Sequence, residues 1–205
     1  MAIRRAPQSV TGDLFEVDQE PSLRLFTVDE YYKMAEIGIL RPDERVQLIE
    51  GKIVQMPPIG PRHAFNVSRL TQLLFARSLD GAEVRVQNSV RLANGAEPEP
   101  DLAIVRSHPD APRTYESRHP RSDDVLLVIE VADTTVTFDL GEKARMYSRH
   151  EVPDLWVVDL QGDRVVMHRE PTPDGYASVT SIARGMAISA LAFPELTFSA
   201  DEILG

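Results

Sequence analysis

Two acidic segments of the chain have residue types and spacing suited to metal-assisted chemistry. The first is Glu97-Pro-Glu-Pro-Asp101, whose alternate carboxylates would project to one face if the segment is extended. Its prolines favour a sheet edge or the entry to a strand, and the alternative is a solvated acidic turn. The second is Glu130, which directly follows the apolar run 125–129. An acidic residue beside a core strand is costly unless it is paired, binds a metal or reaches solvent at the strand's end.

A third segment carries a lysine on one face of a predicted helix. Asp139, Lys143 and Tyr147 are spaced four residues apart, which places them on the same helical face. The ordinary interpretation is an exposed Asp–Lys pair that stabilises the helix by about 0.3–0.5 kcal/mol. Because the helix comes soon after the strand that carries Glu130, it can also bring Lys143 back to that strand's end.

Together these side chains form a set suited to phosphate chemistry. Two carboxylates on adjacent strands can hold Mg²⁺ or Mn²⁺, which prefer hard oxygen ligands. Such a metal lowers the pKa of a bound water and neutralises charge on a phosphoryl oxygen. A nearby lysine can orient that water or stabilise the extra negative charge of the transition state.

Capping, periodicity and turn signals predict the elements that would position these groups. Thr27 and Glu30 have capping-box spacing, which predicts a helix through about Ile37, with Tyr31, Met34 and Ala35 facing inward. The other predicted elements are two short strands around Glu50-Gly51, a helix over 63–79, strands near 83–92, 101–106 and 125–131, a helix over 139–149, strands over 155–160, 164–169 and 176–180, and a terminal helix after Ser199. This order predicts one α/β domain, residues 23–205, with a central mixed sheet flanked by helices and preceded by a loosely held leader, residues 1–22.

Composition narrows the classes of protein that remain. The chain has 205 residues and a formal net charge of -10, which argues against a protein that coats DNA non-specifically. A local basic strip would still bind phosphate, because clefts respond to nearby charge. There are no cysteines, which excludes disulfides, thiol nucleophiles and cysteine-ligated metals and favours a reducing cytoplasm. We find no signal-peptide pattern and no apolar run of the roughly 20 residues that span a bilayer, so we expect a cytoplasmic protein without membrane spans.

Several segments, taken in order, match a known family. They are Leu48-Ile-Glu-Gly-Lys-Ile-Val-Gln-Met-Pro57, His63, Pro100-Asp101, Val128-Ile-Glu-Val131, Asp139, Lys143, Tyr147 and Leu155-Trp-Val-Val-Asp159. Their order and spacing resemble the Uma-type restriction endonuclease family of the PD-(D/E)XK nuclease superfamily, over residues 26–204. The resemblance implies the restriction endonuclease-like fold.

The resemblance also implies roles for individual residues. Asp101 and Glu130 would be metal ligands, Lys143 the motif lysine, and Glu50 an additional acidic ligand from an earlier element. A histidine at the position of His63 is part of the resemblance, and the alternative for it is a packing role at a helix entry. Two positions depart from the pattern. Ala132 stands where the strict motif has its lysine, so that Lys143 serves only if the lysine has migrated to the following helix. Asp133-Thr-Thr135 replaces a turn that is Ser-Pro-rich in the family.

Three functions follow from this set. The first is a Mg²⁺- or Mn²⁺-dependent endonuclease that hydrolyses DNA phosphodiesters, as a homodimer if it cuts duplex DNA, because one active site reaches one strand. The second is a binding or regulatory protein that kept the nuclease fold and lost turnover. The third is a metal-dependent hydrolase of a small phosphorylated substrate. The arginines considered for phosphate contacts in the first function are Arg62, Arg69, Arg77, Arg85 and Arg91.

Overall fold

Helices are interspersed among the strands in the first three quarters of the chain, and five consecutive strands follow before the terminal helix. A computed structural model of the protein describes residues 22–77, 79–111 and 113–205, so residues 1–21 of the predicted leader lie outside the described residues. In chain order the elements are α1 (Val28–Glu36), β1 (Val46–Ile49), β2 (Lys52–Gln55), α2 (Pro61–Phe75), β3 (Ala82–Val86), β4 (Leu102–Arg106), α3 (Thr114–Ser117), β5 (Val125–Ala132), α4 (Val136–Phe138), α5 (Ala144–Arg149), β6 (Asp154–Asp159), β7 (Arg164–Thr172), β8 (Gly175–Ala183), β9 (Ala187–Ala190), β10 (Phe193–Ser199) and α6 (Ala200–Leu204). A 3-10 turn, Ser122–Asp124, precedes β5, and a π-helical turn, Asp139–Lys143, joins α4 to α5.

The centre of the molecule is a six-stranded sheet of order β3-β4-β5-β6-β7-β8. Strands β5 and β6 are parallel and the other neighbours are antiparallel, which confirms the predicted mixed sheet. A parallel pair needs a crossover, and the helical segment 136–149 provides it. All eight residues of β5 are buried, as expected for a continuous apolar run covered on both faces.

Side chains of β5 alternate between two hydrophobic layers. Leu127 and Ile129 pack in the layer that contains α2, α6 and the hairpin β9–β10, whereas Val128 and Ala132 pack in the layer that contains α5. Since side chains along a strand alternate between faces, Glu130 points to the α5 side, between Val128 and Ala132. The strand therefore presents this carboxylate to the helix that follows it.

Most predicted elements are confirmed, with differences at their ends. The Thr27–Glu30 capping box opens α1, and β5 is the buried central strand. Tyr31 and Met34 are partly buried, but Ala35 is exposed, so its inward position was wrong. The segment 97–101 makes only an isolated bridge through Glu97 and is not a regular strand. The hairpin β9–β10 was missed, because its short apolar runs are interrupted by Pro194 and Glu195.

A buried histidine on β7 makes stability depend on pH. His168 is 5% exposed, and its Nε2 has no hydrogen-bond partner among the described residues. Burial lowers the pKa of His168 from 6.5 to about 4. Between these two values the unfolded chain binds a proton that the folded chain does not, so stability falls as the pH drops from 6.5 towards 4.

We expect a His168→Leu variant to lose this part of the pH dependence. Between pH 7.5 and pH 5 the free energy of unfolding of the wild type should fall by about 2 kcal/mol more than that of the variant. Urea unfolding at both pH values measures the difference. Equal pH dependence of the two proteins would show that the histidine is not held neutral by burial.

Candidate active site

The register of β4 and β5 brings two carboxylates together. Leu102 pairs with Ile129 in this antiparallel ladder, so one residue further along Asp101 lies opposite Glu130. Directly opposed residues of an antiparallel pair project to the same face, about 4.5–5.5 Å apart at Cβ. The segment that precedes β4 and the end of β5 thus place both predicted acidic ligands at one point of the sheet.

Asp101 is held by three neighbours from different elements. Its Oδ2 accepts a hydrogen bond from the backbone N–H of Val131, at 2.8 Å, and lies 3.0 Å from His63 Nε2. Its Oδ1 accepts from the side-chain amide of Gln87, at 3.3 Å. Burial by itself would raise the pKa of Asp101, but the hydrogen bond and charge of His63, the charge of Lys143 and the Val131 N–H lower it below its usual value. Asp101 is therefore a fixed, ionised carboxylate.

Glu130 lies deeper, against the helical crossover. Its Oε1 is 2.7 Å from Lys143 Nζ and accepts a hydrogen bond of 2.6 Å from the hydroxyl of Tyr147. Only 3% of the residue is exposed. Burial raises the pKa of Glu130 to about 7, although the attraction of Lys143 opposes the shift. The protonation state of the Glu130 carboxylate therefore depends on the positive charge of its neighbour Lys143.

The π-helical turn 139–143 is what brings the lysine to the sheet. Lys143, 2% exposed, ends this turn, and its Nζ also lies 4.0 Å from Asp139 Oδ1. Burial by itself would lower the pKa of Lys143, but the carboxylates of Glu130 and Asp139 raise it above its usual value, so the amine stays charged. Single π-helical turns inside helices are frequent at functional sites. Asp139 is in turn held by the hydroxyl of Thr135.

His63 stands in the first turn of α2, after the proline-rich segment. The hydrogen bond to Asp101 raises the pKa of His63, and burial only partly opposes this shift. Its other ring nitrogen, Nδ1, is buried and has no hydrogen-bond partner within the described ranges. The structure thus brings together four of the five predicted site residues: His63, Asp101, Glu130 and Lys143.

These four residues line one cavity of about 350 Å³. Its walls are the segment 56–60 on one side and the segment 133–135 on the other. Further polar residues of the lining are Arg45, Gln47, Gln87, Glu99, Asp133 and Asp139. Arg45 and Gln87 were not recognised from sequence, because no motif or periodicity marks them; Gln87 is distinguished only by its position at the end of β3.

The structure does not bring Glu50 to this cavity. Glu50 forms the turn between β1 and β2 with Gly51, and both have the positive φ that such a two-residue turn requires, 50° and 74°. Its carboxylate lies 2.8 Å from Arg149 Nη1 and 3.0 Å from His150 Nε2. The expectation that Glu50 joins the other carboxylates is thus corrected: turn geometry and this ion pair direct its side chain to the end of α5.

Other expectations about the surroundings of the site are also corrected. Glu97 does not share a face with Asp101; it is buried and accepts a hydrogen bond from the hydroxyl of Tyr32. Among the described residues, the arginine that lines the cavity is Arg45. The five arginines considered from sequence (Arg62, Arg69, Arg77, Arg85 and Arg91) lie outside that lining.

The donor set of the cavity suits a hard divalent cation. Asp101 and Glu130 supply carboxylate oxygens from opposite strands, and such oxygens are the ligands that Mg²⁺ and Mn²⁺ prefer. No group of three or more His, Asp or Glu side chains in the described part of the chain is placed so that it could hold a metal ion by itself. A cation at this point would share Glu130 with Lys143, and water or a phosphate would complete its coordination.

The fold is that of an α/β protein with a central mixed sheet flanked by helices. The sequence pattern of the Uma2 family, described as "Putative restriction endonuclease", matches residues 28–201, and the chain belongs to this family. The resemblance predicted from the sequence is thereby confirmed. A search of curated proteins finds no match.

A solved structure supports the fold. The chain is similar to a crystal structure described as a putative nuclease belonging to DUF820 from Anabaena variabilis ATCC 29413, with a TM-score of 0.64 and 15% sequence identity. The similarity covers 87% of this chain and 97% of that one. At this identity the likeness establishes the fold.

No helix in the described ranges is long and apolar enough to cross a membrane.

Proposed function

We propose that the protein is a divalent-metal-dependent endonuclease that hydrolyses phosphodiester bonds of DNA. The observation that carries this proposal is the position of Asp101 opposite Glu130, with Lys143 Nζ 2.7 Å from Glu130, in one cavity. Family membership supports a nuclease activity. Lys143 lies on the helical crossover and not on β5, where the strict motif has its lysine. It nevertheless reaches the carboxylates, and this supports the proposal.

Asp101 and Glu130 would hold Mg²⁺ or Mn²⁺. The bound ion would supply a water of lowered pKa and neutralise charge on the phosphate. Lys143 keeps its positive charge next to Glu130 and is placed to stabilise negative charge on the reacting phosphate. His63 and Gln87 act as positioning residues, since both hydrogen-bond the Asp101 carboxylate and fix its orientation.

The charge of the cavity supports a role for a cation in phosphate binding. Five carboxylates line it, against two side chains that are always cationic. The carboxylates are those of Glu99, Asp101, Glu130, Asp133 and Asp139, and the cations are Arg45 and Lys143. A divalent ion would offset much of this excess and would make the cavity receptive to an anionic substrate. The overall charge of -10 is then compatible with binding at this one point.

Cleavage assays with and without metal test the proposal. We expect the wild type to cleave supercoiled and single-stranded DNA in Mn²⁺ or Mg²⁺ and not in EDTA. The Glu50→Gln variant should cleave within about twofold of the wild-type rate, because Glu50 pairs with Arg149 and His150 away from the cavity. Absence of cleavage of any DNA with either metal would overturn the nuclease proposal. Loss of cleavage in Glu50→Gln would instead indicate that Glu50 is a metal ligand after all.

A further inference from the structure

A second cavity adjoins the catalytic one. Its volume is about 410 Å³, and four residues line both cavities: Arg45, Gln47, Met56 and Glu99. Helix α1 and the turn that follows it form the outer wall of this adjoining cavity, where Tyr31 and Tyr32 are the aromatic residues. The shared residues place the adjoining cavity directly beside the site at Asp101 and Glu130.

The shared wall contains a side-chain amide whose oxygen has no partner among the described residues. Gln47, 5% exposed, lies on β1, and its Oε1 is buried without a hydrogen-bond partner in the described part of the chain. Its Nε2 makes one long contact, 3.4 Å, to the backbone carbonyl of Glu99. Buried side-chain amides are normally hydrogen-bonded, and an exception in a cavity wall calls for a partner from outside the chain. Such an amide offers both a donor and an acceptor to a ligand.

Aromatic rings and a cation line the same cavity as this amide. The hydroxyl of Tyr31 donates to the Val46 carbonyl, and its ring lies edge-on to that of Tyr32, with centroids 5.8 Å apart. Both rings are therefore held in place rather than free to turn. Arg45 is exposed at the mouth and donates to the Pro57 carbonyl, and it forms no ion pair with a described carboxylate. Aromatic rings with a nearby arginine are the features that bind unstacked bases and their phosphates.

We propose that the adjoining cavity binds the nucleotide next to the scissile phosphate with its base unstacked, and that the substrate is single-stranded nucleic acid. This inference rests on the proposed nuclease function. The base packs against the aromatic wall that Tyr31 and Tyr32 form, Gln47 hydrogen-bonds its polar edge, and Arg45 contacts the flanking phosphate. A base inside a duplex is stacked and paired, so it cannot enter a cavity of this size without being extruded. A single strand also needs only one active site, so the dimer expected for duplex cleavage is not required.

Binding measured without catalysis tests the subsite. A fluorescent oligonucleotide of about 8 nucleotides, as a single strand and as a blunt duplex, is titrated with protein in Ca²⁺, which takes the same oxygen ligands as Mg²⁺. Binding is followed by fluorescence anisotropy on oligonucleotide that gel analysis shows to stay intact. We expect the single strand to bind at least about tenfold more tightly than the duplex. Arg45→Ala should weaken single-strand binding about tenfold and Gln47→Leu about fivefold. Arg113→Ala, which removes an exposed arginine outside both cavities, is the charge-matched control, with an expected change below about twofold.

The possible results separate the subsite from the nuclease proposal. The subsite would be overturned if Arg45→Ala bound the single strand as tightly as the wild type does, or if the wild type bound single strand and duplex equally well. Either result would count even if metal-dependent cleavage is observed. Loss of single-strand binding in Arg45→Ala without any cleavage by the wild type would support the subsite and reject the nuclease. Because Arg45 is exposed, its variant tests the subsite even if Gln47→Leu folds poorly.

Discussion

A Lys143→Met variant is expected to lose cleavage and a large part of its stability. The substitution keeps most of the side-chain volume but leaves Glu130 buried without its cation, 2.7 Å away in the wild type. Breaking a buried ion pair by removing one partner costs about 3–5 kcal/mol. Loss of the lysine's charge from the reacting phosphate should lower the cleavage rate about 10²–10³-fold.

The stability loss should depend on pH in a defined direction. Burial raises the pKa of Glu130 from 4.5 to about 7 with Lys143 present, and removal of Lys143 raises it further. Above pH 7 the folded variant still holds a proton that the unfolded chain releases, so its stability continues to fall as the pH rises. The deficit relative to the wild type should therefore widen by about 2 kcal/mol between pH 6 and pH 8.5, in urea unfolding experiments.

A double variant provides the control for this interpretation. Glu130→Gln/Lys143→Met removes both charges, and the replacement of a buried ion pair by neutral groups is often neutral for stability. We expect the double variant to recover most of the lost stability and the extra pH dependence to disappear, while cleavage stays lost. Cleavage at the wild-type rate by Lys143→Met would show that the lysine has no role in the reaction. Unchanged stability at pH 8.5 would contradict the buried pair.

The pairing of Asp101 with Glu130 was predictable because it depends on the alternation of side chains along a strand and on the order of the strands. Asp101 and Glu130 each stand at the end of a recognisable apolar strand, and adjacent antiparallel strands place such ends side by side. The capping box at Thr27 and the terminal helix after Ser199 were likewise predicted, since they depend on local sequence signals. Short-range signals in the sequence therefore located the carboxylate pair and most of the elements around it.

What depends on long-range packing was not predictable. The spacing of Asp139, Lys143 and Tyr147 is equally typical of an exposed helix pair; the position of Lys143 near Glu130 was predicted from chain order and family resemblance, but its burial and the π-helical turn were not. Glu50 has the right residue type, but its side chain follows a turn geometry that pairs it with Arg149. Gln47 lies within a short hydrophobic strand and gives no functional signal in sequence, because its unused amide is visible only once the cavities form.

An Asp101→Asn variant is expected to remove metal-dependent cleavage while leaving the fold in place. The asparagine keeps an oxygen that can accept from the Val131 N–H, so β4 and β5 stay in register. It loses the negative charge that a divalent cation requires and the ion-pair partner of His63. Because a bound metal contributes several kcal/mol to stabilising the reacting phosphate, we expect the cleavage rate to fall at least about 10³-fold.

Titration calorimetry with Mn²⁺ gives a readout that does not depend on turnover. Asp101→Asn should weaken Mn²⁺ binding at least about tenfold, because one of the two proposed ligands is neutralised. Asp133→Asn is the matched control: it removes the same charge from the same cavity, from a partly exposed side chain 3.5 Å from Arg62, and should change affinity and rate less than about fivefold. Equal losses in both variants would mean that cations respond only to the total charge of the cavity. A loss confined to Asp101→Asn would support Asp101 as a ligand, because both variants remove one carboxylate charge from the same cavity and only Asp101 lies opposite Glu130.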